Sequence, residues 1–168
     1  GYLHSFPFLT DDLKLKTNNR MWPLGLYKGV VWENNPALFY IGMQDQFYTF
    51  NMFDAQAWYV RDVILGDITV PNQEAQEAHM ATWLARADAI TTATEEIQFQ
   101  ADYIRDLIEM TDYPMFDLDE VVRIFLEWKA DKRSNLRFGA RRGHYASQWL
   151  VRCVRWRLVG CGRRAGGC

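Results

Sequence analysis

The clearest structural signal in the sequence is a strand, a loop and a helix between residues 38 and 66. The apolar run Leu38–Ile41 favours a strand, and Gly42 stops it. A polar and aromatic loop follows, and apolar residues then recur at helical spacing. Asn51 suits the N-cap of this helix, and Gly66 suits its end. The predicted buried face of the helix consists of Phe53, Ala57, Val60 and Ile64.

A second strand is predicted at Leu26–Trp32, which is apolar and β-branched. The turn signal Asn34–Pro36 separates it from Leu38–Ile41. The two strands either pair as a hairpin or feed a larger sheet, because two strands alone are too little sheet to be stable. Residues 1–25 are punctuated by proline and glycine and indicate a strand end and a loop.

Two helices are predicted after Pro71. Asn72 can cap the first, which runs to about Ile90. The second spans about residues 95–110, with Thr94 at its N-cap. Its predicted inner face consists of Ile97, Ala101, Ile104 and Ile108.

A fourth helix is predicted from a capping box. Asp117 and Glu120 have the spacing of that motif, in which two side chains satisfy the backbone amides of the first turn. The helix runs to about Lys129. Its predicted inner face consists of Leu118, Val121 or Val122, Phe125 and Trp128.

Charge divides the chain near residue 131. Residues 1–131 hold nine basic residues and all 21 acidic ones, a net charge of −12, whereas residues 132–168 hold ten basic residues and no acid. The latter segment also holds all three cysteines and six of the eleven glycines. It is either a basic arm for nucleic acid or an anionic membrane, or an out-of-frame translation of GC-rich DNA. We favour the second interpretation, because acidic residues vanish completely where the composition changes.

Length and composition predict one ordinary domain in a cytoplasmic protein. The 168 residues are 49% hydrophobic, which is enough for one core. No run of about 18 apolar residues occurs, so no membrane span is expected, and no signal peptide is visible. The cysteines lack the paired CxxC spacing of a zinc site, so no metal is expected. The chain begins with Gly1 rather than Met, which indicates processing or a fragment.

No complete catalytic or cofactor motif occurs in the sequence. The dinucleotide fingerprint GxGxxG, the phosphate loop GxxxxGK[ST], the zinc motif HExxH and the nucleophile motif GxSxG are absent. The three histidines are scattered along the chain. We therefore expect no enzymatic activity from this chain alone.

The loop from Gly42 to Asn51 holds the best candidates for binding. A strand, a polar loop and a helix start form a suitable edge for an anion or cofactor, because free amides point out of the helix end. Gln46 and Thr49 can hydrogen-bond the edge of a heteroaromatic ring, and Asp45 can pair with a cation. From spacing alone, a plain connection between sheet and helix explains the same residues.

Aromatic residues offer a second kind of site. Aromatic faces bind quaternary or protonated amines by cation–π attraction, about 0.5–2 kcal/mol each. Core packing is the better interpretation for Trp58 on its helix, whereas Phe47 and Trp128 suit either role.

Several long runs of the sequence also carry a resemblance to a known family. They are Gly1–Leu9, Leu26–Val30, Phe39–Ala57, Asp102–Ile104, Met110–Pro114 and Phe125–Lys129. The first looks like the end of the TGY motif of flavin-containing monooxygenases, and the third closely resembles the bacterial, trimethylamine-oxidising members. The likeness covers about residues 1–132 and stops in the basic segment.

The resemblance implies an α/β fold in which two nested dinucleotide-binding domains hold FAD and NADPH. It implies that residues 1–70 are the C-terminal segment of the FAD-binding domain, with its closing strands and one helix. Residues 71–131 would form a helical extension packing on the cofactor domains, and residues 132–168 a basic tail, out-of-frame or disordered. The glycine-rich fingerprints would lie upstream of Gly1.

The resemblance further implies roles for five residues. Gln46 and Thr49 would bind FAD, and Asp45 would act in catalysis beside the nicotinamide ribose and the substrate. Phe47 and Trp128 would line the amine pocket. The family usually has Trp at position 47, and Phe47 keeps a ring but loses the indole donor. The implied reaction is N-oxygenation of a small tertiary amine such as trimethylamine with O2, in a full-length homodimer.

Two alternatives remain open. The chain could be a stand-alone helical interaction module whose basic tail binds nucleic acid or acidic lipid, although the resemblance predicts no nucleic-acid partner. It could also belong to a related FAD-dependent enzyme that acts on sulfides or hydroxylamines, and the sequence does not separate these substrates.

Overall fold

The structure, a computed structural model, describes residues 6–15 and 21–138, with side chains as far as Lys132. A short 3₁₀ turn, Asp11–Leu13, precedes two strands and four helices. The elements are β1 (Leu26–Tyr27), β2 (Val31–Trp32), α1 (Thr49–Leu65), α2 (Gln73–Asp88), α3 (Ala93–Ile108) and α4 (Leu118–Phe138). None of these helices is long and apolar enough to cross a membrane. The described chain thus has α/β content, as predicted, with helices dominant.

The predicted strand over residues 26–32 is two short strands separated by a tight turn. β1 and β2 pair antiparallel, with Leu26 opposite Trp32. The chain reverses through Lys28 and Gly29, whose φ angles of 51° and 67° lie in the left-handed region. A continuous strand is therefore wrong, because the glycine permits a reversal that the apolar composition concealed.

The second predicted strand forms only an isolated bridge. Phe39 pairs antiparallel with Val31. The Tyr40 N–H donates to the Val30 carbonyl at 2.8 Å, and the Trp32 N–H donates to the Leu38 carbonyl at 3.0 Å. Of the two predicted arrangements, the described residues show the local hairpin.

Helix α1 begins three residues earlier than predicted and buries a different face. Tyr48, not Asn51, is its N-cap, whereas the predicted stop at Gly66 is confirmed by a φ of 82°. Two residues of the predicted inner face, Ala57 and Ile64, are exposed. The buried face consists of Met52, Ala55, Gln56, Tyr59, Val60 and Asp62. The apolar pattern was misleading because buried polar side chains belong to this face.

The predicted N-cap of α2 is correct, and the predicted N-cap of α3 is wrong. Asn72 caps α2 as predicted, and its Oδ1 accepts the Ala75 N–H at 3.0 Å. Thr92, not Thr94, caps α3, in a capping box with Glu95. The predicted inner face of α3 is confirmed, since all four of its residues are buried.

Helix α4 begins where the sequence predicted and continues beyond the predicted end at Lys129. The Asp117 Oδ1 accepts the Glu120 N–H at 2.9 Å, which is half of the predicted capping box. The Glu120 carboxylate forms an ion pair with Arg123.

The chain divides into two compact units at Arg123. The first holds both strands and helices α1 to α3, with α1 packed on α3 and α2 packed on β1. Its core includes a cluster of rings in which Trp22 stacks on Trp83 at 5.2 Å between centroids. The second begins at Ile124 and holds the later part of α4, where the Lys132 Nζ lies 5.0 Å from the ring centroid of Trp128. The predicted boundaries near residues 70 and 131 stay predictions.

Candidate functional site

The candidate site is the loop of residues 42–48, which enters helix α1. Its start is fixed by Gly42, whose N–H donates to the Gln56 Oε1 at 2.8 Å. Gly42 has a φ of 80°, and a Cβ added to it would lie 2.5 Å from the Phe53 ring. Glycine is therefore required here by both conformation and space.

A buried network of side-chain hydrogen bonds holds the next part of the loop. The Gln56 Nε2 donates to the Gln44 Oε1 at 2.8 Å and to the Tyr103 hydroxyl at 2.9 Å. The Gln44 Nε2 donates to the Gly29 carbonyl at 3.0 Å, and the Tyr103 hydroxyl donates to the Lys28 carbonyl at 2.9 Å. These bonds join the hairpin turn, the loop, α1 and α3, and their satisfied donors make the arrangement specific.

The hydroxyl of Tyr103 stays neutral in this network. Burial raises the pKa of Tyr103, and the hydrogen bond from Gln56 opposes that rise without cancelling it. A neutral hydroxyl both donates and accepts, which is what its position between an amide and a carbonyl requires.

One side chain of α3 holds the centre of the loop. The Phe47 N–H donates to the Gln100 Oε1 at 2.6 Å, and the Gln100 Nε2 donates to the Asp45 carbonyl at 3.1 Å. Gln100 is only 2% exposed. The backbone on both sides of Gln46 is therefore bound to a single buried amide.

The structure brings four of the five predicted site residues together on this loop. Asp45, Gln46 and Phe47 are half-buried, and Thr49 is exposed as the first residue of α1. The Asp45 Oδ1 accepts the Gln46 N–H at 3.1 Å. The Gln46 Oε1 is buried and has no hydrogen-bond partner among residues 6–15 and 21–138. The loop therefore presents one buried acceptor and one carboxylate.

The start of α1 carries no side-chain cap from the described part of the chain. Its N-cap residue, Tyr48, turns inward, and its hydroxyl donates to the Ile97 carbonyl at 3.4 Å. The amides of the first turn lack partners within the helix, and the helix dipole favours negative charge beside them. The loop thus ends in a suitable position for an anionic or hydrogen-bonding ligand.

The fifth predicted residue, Trp128, belongs to the second unit and is 37% exposed. Its ring faces the ammonium of Lys132. The structure therefore leaves the prediction of a substrate-binding role for Trp128 untested.

Sequence reasoning missed an ion pair beneath the hairpin turn. The Lys28 Nζ lies 2.8 Å from both carboxylate oxygens of Asp106, and the His79 Nε2 lies 3.7 Å from that carboxylate. Burial alone would raise the pKa of Asp106, but the nearby His79 ring and the hydrogen-bonded Lys28 ammonium outweigh it and lower the pKa. A lysine before glycine in a predicted strand was the available signal for a turn. Its partner, Asp106, lies 78 residues further along the chain, so the ion pair could not be predicted from the sequence.

Groups of three or more His, Cys, Asp or Glu side chains that could hold a metal ion do not occur within the described residues. The three cysteines and residues 139–168 of the predicted basic arm or out-of-frame tail lie outside those residues, whereas residues 132–138 of that segment belong to α4.

Comparison with known proteins shows strong similarity to one group of enzymes. The chain is 56% identical over 147 residues to the trimethylamine monooxygenase of Methylocella silvestris, a match covering 88% of this chain and 32% of that protein. It is 50% identical over 136 residues to the trimethylamine monooxygenase of Pelagibacter ubique, covering 81% and 31% of the two chains. It is also 32% identical over 124 residues to a flavin-containing monooxygenase of Arabidopsis thaliana, FMO GS-OX-like 7, covering 70% and 26%. No protein-family model matches.

A solved structure shows the same similarity in three dimensions. The crystal structure of Tmm from Pelagibacter sp. strain HTCC7211 matches with a TM-score of 0.75 and 46% identity. The match covers 77% of this chain and 30% of that one. The chain therefore spans about a third of the length of the curated relatives it matches. Because the 147-residue match covers 88% of the chain, it includes part of the basic segment 133–168.

Proposed function

This chain belongs to the bacterial flavin-containing monooxygenases of the trimethylamine monooxygenase type, and from that premise we propose the activity it serves. It is part of an FAD- and NADPH-dependent enzyme that N-oxygenates small tertiary amines such as trimethylamine. The observation that carries this proposal is the 56% identity, over 88% of the chain, to a relative of that name. In the overall reaction one atom of O2 joins the amine nitrogen, and the other leaves as water with the two electrons of NADPH.

The loop fits a flavin through groups that the chain itself leaves available. The buried Gln46 Oε1 has no partner in the described residues, and a heteroaromatic ring edge with an N–H group would satisfy it. Thr49, the exposed first residue of α1, carries a hydroxyl group beside the backbone amides of the first turn. When bound, the reduced flavin supplies the chemistry that activates O2. Gln46 and Thr49 would hold and orient the ring.

Asp45 is the residue that we assign to the amine. Trimethylamine is mostly protonated at neutral pH, and only the neutral nitrogen has the lone pair that accepts oxygen. A half-buried carboxylate attracts the cation and can take its proton. The Asp45 carbonyl accepts from Gln100, and the Asp45 Oδ1 accepts the Gln46 N–H, so the carboxylate is held on the loop where we propose that the amine binds.

Phe47 and Trp128 are assigned to the amine pocket by the resemblance. An aromatic face attracts a methylated ammonium, which supports this role for Phe47 on the loop beside Asp45. Because Phe47 replaces the usual Trp, we expect a shifted preference among amines. The homodimeric state of the full-length enzyme is proposed on the same ground, as is the position of residues 1–70 in the FAD-binding domain.

The test uses the protein expressed from the complete reading frame that contains this segment, hereafter the complete protein. We expect it to bind FAD and to oxidise NADPH in step with trimethylamine N-oxide formation. Asp45→Asn should lower kcat/KM for the amine about 10²-fold, the lower end of general-base effects. Asp54→Asn, at an exposed acid on α1, is the matched control.

Two results would contradict the proposal at different levels. A complete protein that neither binds FAD nor oxygenates any amine would exclude the proposed activity. An active protein in which Asp45→Asn behaves like Asp54→Asn would exclude only the role of Asp45. Turnover of sulfides or hydroxylamines in preference to trimethylamine would instead favour the related class of FAD-dependent enzymes.

A further inference from the structure

Helix α3 contacts the candidate loop at three successive positions along one face. The carbonyl of Ile97 accepts the Tyr48 hydroxyl, the side chain of Gln100 binds the loop centre, and the Tyr103 hydroxyl accepts from Gln44. These three residues of α3 are spaced by three, so they lie on the same side of the helix. The loop therefore runs along α3 in the opposite direction and is held at its start, centre and end.

The central contact differs from the other two because it bonds only backbone atoms of the loop. Gln100 accepts from the Phe47 N–H and donates to the Asp45 carbonyl, as a neighbouring strand would. Neither bond is made by the side chain of Asp45, Gln46 or Phe47. Those are the side chains assigned above to the amine, the flavin and the pocket.

We propose that Gln100 is a positioning residue, which sets the orientation of the Asp45–Phe47 segment by fixing its backbone. The proposal rests on the proposed function of that segment. Gln100 itself touches neither substrate nor cofactor. It acts because fixing one carbonyl and one N–H, two residues apart, restricts the rotation of the peptide units that carry all three side chains.

The position of Gln100 argues for this role over simple burial. A glutamine that is 2% exposed on a helix would pack more favourably as methionine or leucine if it had no polar task. The same helix face supplies Ile97 and Ile104, both fully buried and apolar. The amide is therefore placed in an apolar row at the point where the loop needs a donor and an acceptor together.

The test compares Gln100→Met with Gln76→Met in the complete protein. Gln76 is a buried glutamine on α2 whose Nε2 donates to the Pro71 carbonyl at 2.8 Å, so its replacement removes a comparable bond elsewhere. We expect Gln100→Met to increase the hydrogen-exchange rate of the Phe47 amide at least about tenfold, because that amide loses its buried hydrogen bond to the Gln100 Oε1. The Met52 amide, bonded to the Tyr48 carbonyl within α1, is the internal reference.

The kinetic readout separates positioning from stability. Gln100→Met should raise the amine KM and change the absorption spectrum of the bound flavin, while its thermal midpoint falls no further than that of Gln76→Met.

The outcomes distinguish this proposal from the proposed function. Faster exchange at Phe47 with an unchanged KM and flavin spectrum would reduce Gln100 to a structural residue and overturn the proposal. Unchanged exchange at Phe47 would overturn it as well, whatever the activity. A wild-type complete protein that oxygenates no amine contradicts the proposed function, and the exchange at Phe47 would then still decide whether Gln100 fixes the loop.

Discussion

At the scale of single residues, glycine has two different roles in this chain. Gly42 and Gly66 have nearly the same backbone conformation, with φ angles of 80° and 82°. A Cβ on Gly42 would collide with the Phe53 ring, whereas a Cβ on Gly66 would meet nothing within 4 Å. The first glycine is fixed by packing beside the candidate site, and the second only by ending a helix.

This difference predicts unequal effects of the same substitution. Gly66→Ala should lower the free energy of unfolding by about 1–2 kcal/mol, the cost of a left-handed alanine. Gly42→Ala should lower the free energy of unfolding by the same amount and by about 1–3 kcal/mol more, because the added methyl group would overpack against Phe53. Chemical denaturation of the two variants of the complete protein measures both values. Equal losses would show that Phe53 moves aside freely and that the contact does not constrain the loop.

Residue patterns predicted caps only where the local motif was unambiguous. Asn72 is the one suitable residue before α2, and it caps that helix. Before α3 both Thr92 and Thr94 suit, and the structure uses Thr92 because only there does Glu95 fall at the third helical position. The N-cap of α1 is Tyr48 rather than the predicted Asn51, because burial of the tyrosine ring fixes where the helix begins.

At the scale of elements, the start of α3 depends on an ionised side chain. The Glu95 carboxylate accepts from the backbone of Thr91 and Thr92 and from the Thr91 hydroxyl, and these bonds lower its pKa to about 2. A carboxyl whose folded pKa is depressed stabilises the fold above its unfolded pKa. That contribution is lost as pH falls from about 4.5 toward 2.

We therefore expect a fall in pH to destabilise the wild-type complete protein more than it destabilises the Glu95→Gln variant. The measurement is the midpoint of urea unfolding at a series of pH values between 6 and about 3, within the window set by that pKa shift. Glu96→Gln, in the same first turn, is the control. A wild-type and a Glu95→Gln curve that stay parallel through this window would show that the capping box does not hold α3.

Element α3 also shows which predictions periodicity supports. Its four predicted core positions are all buried, because apolar residues at helical spacing form one face, and that face is removed from water when it packs against the core. The face of α1 was predicted wrongly because its orientation is set by Gln56, which binds Gly42, Gln44 and Tyr103. The spacing of apolar residues does not predict where a polar residue is buried by hydrogen bonds to residues distant in the sequence.

At the scale of the whole molecule, the chain matches about a third of the length of its relatives, and it lacks both dinucleotide fingerprints. We propose that residues of the loop bind and orient the ligands, but the sequence has no GxGxxG segment of the kind that holds a dinucleotide pyrophosphate. The activity is therefore proposed for the complete protein.

We expect the 168-residue chain, mixed with FAD, NADPH and trimethylamine, to oxidise no NADPH above the rate without protein. The complete protein at the same concentration is the positive control, and product N-oxide is measured beside NADPH. Amine-dependent NADPH consumption by the chain alone would mean that it binds both cofactors without the fingerprints, and the expectation that activity requires the complete protein would be wrong.

The sequence by itself determined the helices, the inner face of α3, the caps with one suitable residue and the long runs that mark the family. These features follow from short-range rules, because helical spacing and capping act within about one or two turns. Only the tertiary structure decided the turn at Lys28 and Gly29, the buried face of α1 and the hold of Gln100 on the loop. Those depend on hydrogen bonds between residues up to 78 apart, and a buried polar group takes its partner from the fold rather than from its neighbours in the chain.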